Sequence, residues 1–235
     1  MSGSQQRLWF IDKLEPGNPA YNLPGVLVLR GELDTERLLA SLNQIIQRHE
    51  ALRLRFFEDE HGPKQQAVEQ LQLVVDQVDL SHTDNPKKHA QELEYHEARK
   101  PFDLCEAPLV RSTLIQLAPD HHHLLITMHH LITDGWSMGV LIDELSHLYN
   151  TSKPDLPELP IQFTDYALWQ QQQHHEEDAT WWQQQLQGAP TVLNLPTDYP
   201  RPKIMTHRGA NHRFIIGPEI AEPLAAFAKM QASQP

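Results

Sequence analysis

The sequence is poor in cysteine, in basic side chains and in long apolar runs, and each shortage excludes a class of protein. Its 235 residues include one cysteine, Cys105, so an internal disulfide cannot form, which is typical of a reducing compartment such as the cytoplasm. Lys and Arg number 19 against 31 Asp and Glu, and the net charge of −12 argues against a nucleic-acid partner. No apolar run reaches the roughly 18 residues of a membrane span, and the first residues do not resemble a secretory signal. We therefore expect a cytoplasmic protein that binds neither nucleic acid nor membrane.

Strand and helix patterns alternate along the chain. Strands are predicted at residues 26–29, 52–57, 64–69, 73–80, 109–117, 123–128 and 212–216. Helices are predicted from Ser4 to Pro16, at 35–49, 86–99, 138–149 and 163–186, and from 218 onward. Asp34 and Asn85 are the expected N-caps of the second and third helices, and Ser4 is the expected cap of the first.

Proline-rich segments indicate where the chain divides. Residues 154–160 and 195–202 are proline-spaced linkers, and one predicted strand and one helix follow the second of them. Because a single strand and helix cannot bury a core alone, they are expected either to pack on the first domain or to begin a second domain.

The stretch around which the chain is arranged runs from Met128 to Ser137. It contains His129, His130, Asp134 and Gly135 in a predicted strand-to-helix turn, a place where rigid elements often hold catalytic side chains. Histidine changes charge near neutral pH, so His130 is a candidate base for an amine or hydroxyl nucleophile. Alternation along the strand predicts that the imidazole of His129 points the other way and serves as structural support.

The residues that follow the two histidines have predicted structural roles. Asp134 is expected to brace the turn through an ion pair with an arginine, and capping of the next helix is a compatible role. The candidate arginines in this chain are Arg53, Arg55 and Arg111, and an arginine outside this chain is the alternative. Gly135 is expected to give the backbone the freedom that the bend requires. Trp136 is expected to act as an apolar plug at the start of the helix.

Two other chemistries are less well supported by the residues. A zinc enzyme would need defined ligand spacing such as HExxH, which is absent, and the histidines 121–123 are expected to lie solvated in a turn. A nucleophile of the GxSxG type is absent, and Cys105 has no evident base beside it. No metal site and no covalent nucleophile are therefore predicted for this chain.

Residues 129–135 match the HHxxxDG motif, and four further motifs follow the order found in one family, the condensation domains of non-ribosomal peptide synthetases. The chain therefore resembles that family and its wider superfamily of chloramphenicol acetyltransferase-like enzymes. The resemblance implies the α/β class, as an α+β two-layer sandwich with a mixed sheet and packed helices. The other four segments are Ser2–Phe10 with Ser4 where alanine is usual, Arg48–Arg53 with Phe56, Asp165–Gln170, and Leu195–Pro202.

The resemblance implies an acyltransferase that forms peptide bonds in secondary metabolite biosynthesis. The amine of an acceptor aminoacyl group would attack a donor aminoacyl or peptidyl thioester, with His130 as base or as the group that holds the reacting atoms. Both substrates would be carried on phosphopantetheine arms of donor and acceptor peptidyl carrier proteins, and an adenylation domain would belong to the same assembly line. The family's domain has two similar lobes. The resemblance therefore implies a first lobe at 1–190, and the inter-lobe linker with the incomplete start of the second lobe at 191–235. The chain alone is expected to be inactive. The opening motif and the DGWS sequence resemble the LCL-like subclass, which joins two L-aminoacyl groups.

Two alternative functions stay open on the sequence. The first is a stand-alone acyltransferase that uses a soluble thioester such as acyl-CoA. The second is a truncated, non-catalytic lobe that serves as a binding module. The linker and opening motifs favour the assembly-line enzyme over the acyltransferase, whereas the early end at Pro235 favours the binding module for the isolated chain.

Overall fold

The computed structural model describes residues 1–152, 155–173, 176–203, 209, 212 and 214–231. The helices are α1 (Gly3–Leu14), α2 (Thr35–Arg48), α3 (Pro86–Arg99), α4 (Gly135–Asn150), α5 (Phe163–Gln171), α6 (Glu176–Gln185) and α7 (Pro218–Met230). The strands are β1 (Asn22–Arg30), β2 (Leu54–Asp59), β3 (Gly62–Ala67), β4 (Val75–Asp79), β5 (Val110–Ala118) and β6 (His121–His129). Short 3-10 turns lie at Pro19–Tyr21 and Glu50–Arg53.

A mixed sheet with the order β1-β6-β5-β4 forms the centre of the fold. Strand β6 pairs antiparallel with β1 and β5, whereas β4 pairs parallel with β5. The near-continuous apolar run of β6 is buried on both faces, as expected for a central strand, and the neighbouring β1 exposes alternate residues. Strands β2 and β3 form a separate hairpin. The mixed sheet and its helices confirm the predicted α/β class.

Helices cover the sheet on both faces. Leu124 and Ile126 of β6 belong to the larger core with Leu42 of α2 and Leu141 of α4. On the opposite face Leu125 packs with Ile115 of β5, Leu117 of β5 and Ala90 of α3. Each fully buried Leu or Ile contributes roughly 1.5–3 kcal/mol to folding, so these two layers hold the end of β6 in a fixed position.

Two of the three predicted N-caps are confirmed. Asp34 caps α2 by accepting from the amide of Arg37, and Asn85 caps α3 just before Pro86. The prediction that Ser4 caps α1 is wrong, because the cap is Ser2, which accepts from the amide of Gln5.

Three other predicted elements differ from the structure. The single helix at 163–186 is two helices, α5 and α6, and the exposed side chains of α6 bury no apolar stripe that would favour one continuous helix. The strand predicted at 212–216 lies partly outside the described residues, and those that are described, 212 and 214–216, form no strand. The strand predicted from Leu52 begins at Leu54, because residues 50–53 form a 3-10 turn.

The chain divides into two compact units, Met1–Gln187 and Gly188–Pro235. The first contains the sheet and the second contains α7. The assignment of these parts as a complete lobe and the start of another stays a prediction. Within the described residues, no helix is both long and apolar enough to cross a membrane.

Candidate active site

The two histidines at the end of β6 lie in different environments. His129 is the last residue of the strand, is 4% exposed and packs edge-on against Phe102 with ring centroids 6.1 Å apart. His130 is exposed beyond the strand, where its backbone N–H donates to the carbonyl of Tyr21 at 2.9 Å. The structure therefore places one imidazole inside the fold and the other at its surface, the arrangement that alternation predicts.

His129 supports the turn as a neutral, hydrogen-bonded ring. Its Nδ1 accepts from the backbone N–H of Leu131 at 3.2 Å, so the proton of the neutral ring belongs on Nε2. Burial, with a smaller effect of His130, lowers the pKa of His129 from 6.5 to about 4. The ring is therefore uncharged at neutral pH and suited to holding the turn rather than to moving protons.

The surroundings of His130 favour one tautomer. Its Nδ1 lies 2.7 Å from the carbonyl oxygen of Thr133. A carbonyl oxygen can only accept, so Nδ1 donates and carries the proton. In the neutral ring Nε2 is then left with its lone pair, which is the state that a general base requires.

Asp134 is the N-cap of α4. Its Oδ1 accepts from the backbone N–H of Ser137 at 2.8 Å and from the Ser137 hydroxyl at 2.6 Å. The side-chain hydrogen bond from Ser137, followed by the backbone one, lowers the pKa of Asp134 below its usual value. Of the two roles predicted for Asp134, the structure therefore shows capping of the next helix.

The predicted ion pair between Asp134 and an arginine is absent from the part of the chain that the structure describes. Arg53 is buried and donates to four backbone carbonyls, among them those of Ile46 and Glu69. Arg55 donates to the Gln66 side chain. Arg111 pairs with Glu97 at 3.5 Å and stacks on Phe102. All three candidates are therefore engaged elsewhere, with backbone carbonyls, a side-chain amide or a carboxylate.

The roles predicted for the next two residues are wrong. Gly135 is the first residue of α4, does not have a positive φ, and a Cβ there would meet nothing within 4 Å. The bend therefore does not depend on glycine's backbone freedom. Trp136 is 84% exposed, because the helix starts with this side chain pointing away from the core rather than into it.

A cleft of about 800 Å³ borders the turn. His130 and Trp136 lie on one side of it, and α1 contributes the side chains of Leu8 and Ile11. Further lining comes from α5, with Phe163, Tyr166 and Gln170, and from the polar residues Gln5, Arg7 and His49. The cleft therefore offers a largely apolar wall with a few polar groups, as small-molecule sites do.

A polar network fixes the α5 wall of this cleft. Glu144 of α4 pairs with Arg48 at 3.0 Å and with the Nε2 of His49 at 2.8 Å. The side chain of Gln162, directly before α5, donates to the Arg48 carbonyl and accepts from the amide of Glu50. The second predicted motif, residues 48–53, thus ties α2, α4 and α5 together behind the cleft.

The histidines 121–123 are not in a turn, which corrects their sequence interpretation. They form the start of β6, where His122 is buried and His123 pairs with Glu94 of α3 at 2.9 Å. Among the described residues no group of three or more His, Cys, Asp or Glu side chains could hold a metal ion. Cys105 is a free, exposed thiol.

Comparison with known proteins shows the family. The family model described as Condensation domain matches residues 1–234. The chain is a member of the condensation-domain family. This condensation-domain chain is 39% identical over 228 residues to tyrocidine synthase 3 of Brevibacillus parabrevis, covering 95% of the chain and 3% of that protein. It is 35% identical over 245 residues to phosphinothricin tripeptide synthetase PhsC of Streptomyces viridochromogenes, covering 100% of the chain and 23% of that protein.

Solved structures of the family share the fold. A four-domain nonribosomal peptide synthetase bound to AMP and glycine matches with a TM-score of 0.84 and 25% identity, over 98% of this chain and 18% of the other. The X-domain complex with OxyB from teicoplanin biosynthesis matches with a TM-score of 0.80 and 26% identity, over 100% and 53%. The condensation-domain chain thus spans a small part of its curated relatives and about half of one structural relative.

Several residues of the site were not predicted. Ser137 as the partner of Asp134 has a sequence signal, since a cap and the residue three positions on form a recognisable pair. The Thr133 carbonyl that holds His130 and the contribution of His49 to the cleft have no local signal, because tertiary structure brings them there.

Proposed function

We propose that this chain supplies His130 to the active site of a condensation domain that forms amide bonds in non-ribosomal peptide synthesis. The observation that carries the proposal is the Nδ1–Thr133 hydrogen bond, which leaves the Nε2 lone pair of an exposed imidazole available beside a cleft. His129 and Asp134 support the turn from inside the fold and from the start of α4.

The proposed reaction is the aminolysis of a thioester. The acceptor amine forms a C–N bond with the donor carbonyl carbon, the C–S bond breaks, and the proton lost by the amine goes to the departing thiolate. His130 can take that proton as a base or hold the amine and the tetrahedral intermediate in place, and both roles use Nε2.

The proposed substrates are carried by other proteins or domains. Donor and acceptor carrier proteins would present them on phosphopantetheine arms, and an adenylation domain would load them. The proposal assigns no cofactor to this chain. The two motifs that resemble the LCL-like subclass, Ser2–Phe10 and residues 134–137, support two L-aminoacyl substrates. The free Cys105 supports a reducing, cytoplasmic location.

Substitution of His130 by alanine in the condensation domain containing this chain tests the function. We expect the rate of dipeptide formation from two loaded carrier proteins to fall by roughly 10²- to 10⁴-fold, the usual contribution of a positioned acid or base. The melting temperature should stay unchanged, because the ring is exposed at the surface. His123→Ala is the matched control, since it removes an imidazole from the far end of the same strand and should leave the rate unchanged.

The same assay separates the rival functions. Wild-type turnover in His130→Ala would overturn the catalytic role. Transfer from acyl-CoA in preference to a loaded carrier would indicate the stand-alone acyltransferase. Carrier binding without any product in the wild-type domain would indicate the binding module.

A further inference from the structure

Gln5, in the first of the matched motifs, makes a contact that the proposed reaction does not use. It is 3% exposed and occupies the third position of α1. Its backbone N–H donates to Ser2 Oγ at 3.2 Å, and its Oε1 accepts from the Ser2 backbone N–H at 2.8 Å. Its Nε2 donates to the backbone carbonyl of Leu131 at 3.1 Å, across 126 positions of the chain. The amide therefore joins the start of α1 to the turn that carries His130.

The need for both contacts accounts for glutamine at this position. A capping box is served equally by glutamate or glutamine, because each offers a side-chain oxygen to the cap amide. An ionised glutamate, however, has no hydrogen to donate and would set a carboxylate oxygen against the Leu131 carbonyl. Of these two residues, glutamine alone satisfies the cap and the turn together.

Leu131 is a fixed point of the catalytic turn. Its carbonyl is held by Gln5 and its N–H by Nδ1 of His129, so buried side chains bind the two peptide groups that flank it. Two residues later the carbonyl of Thr133 accepts from the Nδ1 of His130. The orientation of the 131–133 backbone therefore sets where that acceptor lies, and with it the tautomer and direction of the His130 ring.

We propose that Gln5 is a positioning residue for His130, acting through the Leu131 carbonyl. The inference rests on the proposed function of His130 and adds a residue from α1 to the machinery of the turn. Gln5 contributes to the rate by keeping the Thr133 carbonyl within hydrogen-bonding distance of the Nδ1 of His130. The proton then stays on Nδ1 and the lone pair on Nε2.

Gln5→Glu in the condensation domain containing this chain separates the two contacts. It keeps an acceptor for the Ser2 amide and removes the donor to Leu131. We expect kcat for dipeptide formation to fall roughly 10- to 100-fold with KM for the acceptor carrier little changed, because misplacement alters the transition state more than carrier binding. Gln5→Met, which buries no charge, should show the same loss of kcat and covers the case in which Gln5→Glu does not fold.

The matched control is Asp34→Ala. It removes the N-cap of α2, a loss of the same kind, at a residue that makes no hydrogen bond to the turn. We expect it to lower the melting temperature and leave kcat unchanged. If Gln5→Met loses kcat and Gln5→Glu does not, Gln5 serves only the cap and the proposal is overturned. Wild-type kcat in both Gln5 variants also overturns it.

A second measurement does not depend on activity. Nitrogen NMR of the histidine-labelled condensation domain containing this chain should show His130 as the Nδ1–H tautomer, and Gln5→Glu should shift it toward a mixture of tautomers. An unchanged tautomer in that variant overturns the positioning role. Absence of product in the wild-type domain would instead count against the proposed function, while the NMR result would still decide the role of Gln5.

Discussion

The two ends of β6 carry histidines in similar numbers and use them differently. At its start His123 meets a carboxylate, Glu94, from α3, and His121 lies beside it with ring centroids 5.4 Å apart. At its end His129 and His130 meet the backbone of a turn, and a cleft of about 800 Å³ lies beside the second ring. What each nitrogen faces, rather than the local density of imidazoles, therefore distinguishes a candidate base from a structural histidine.

Each end of the strand has an imidazole whose pKa is lowered mainly by desolvation. Burial lowers the pKa of His129 to about 4. At the other end desolvation, together with the neighbouring cation Arg30, lowers the pKa of His121. A metal or proton-transfer function does not follow from a low pKa alone. The two ends of the strand differ in that the cleft lies beside the end that carries His130.

The largest effect that would sharpen this comparison is the response of stability to acid. In the unfolded chain His129 binds a proton as the pH falls below 6.5, whereas in the native chain it does so only at about pH 4. The free energy of unfolding should therefore fall as the pH falls from 6.5 to 4. The contribution of His129 amounts to roughly 3 kcal/mol over the full range. Urea unfolding at pH 7 and pH 5 measures the part of it that falls between these two values, roughly 2 kcal/mol.

His129→Gln is the control for that slope. Its side-chain oxygen can still accept from the Leu131 amide, but it does not titrate. The variant should lose part of the wild-type dependence of stability on pH between 6.5 and 4. If the free energy of unfolding depends on pH equally in both proteins, a group other than His129 takes up the proton. The contrast between the two ends of the strand would then not hold.

A smaller effect separates capping from ion pairing at Asp134. Asp134→Ala should lower the free energy of unfolding by about 1 kcal/mol, the usual value of an N-cap. Asp134→Asn should stay within about 0.5 kcal/mol of wild type, because asparagine caps as well as aspartate. Urea unfolding of both variants checks this, and equal losses in the two would favour the ion pair first predicted from the sequence.

The smallest expected effect lies at the start of β6. Glu94→Gln removes the charge from a partly exposed pair with His123, and such pairs are worth less than about 1 kcal/mol. Dipeptide formation in the complete domain should be unchanged. A rate loss comparable with that of His130→Ala would mean that the two ends of the strand are coupled.

The sequence predicted the parts of the fold that depend on local pattern. The apolar run of β6, the stripe of α2 and the caps Asp34 and Asn85 each carry their signal within a few residues, and the structure confirms them. The break between α5 and α6 was missed, because residues 163–186 have no proline or glycine to mark it.

The candidate site divides in the same way. The prediction of opposite directions for His129 and His130 needed only the period of a strand. The contact between Gln5 and Leu131 could not be predicted, since nothing local to either residue points to a partner 126 positions away. Trp136 was misassigned because tryptophan side chains are highly buried on average, whereas this one is 84% exposed.

The exposure of that indole has a practical consequence. Its ring lies in water at the edge of the cleft until another molecule or another part of the protein covers it. Its fluorescence should therefore move toward shorter wavelengths when the cleft is occupied, and the difference between the wild-type spectrum and that of Trp136→Phe would isolate this signal from the other four tryptophans. The chain thus carries its own unlabelled optical reporter of occupancy, a few residues from the ring proposed to do the chemistry.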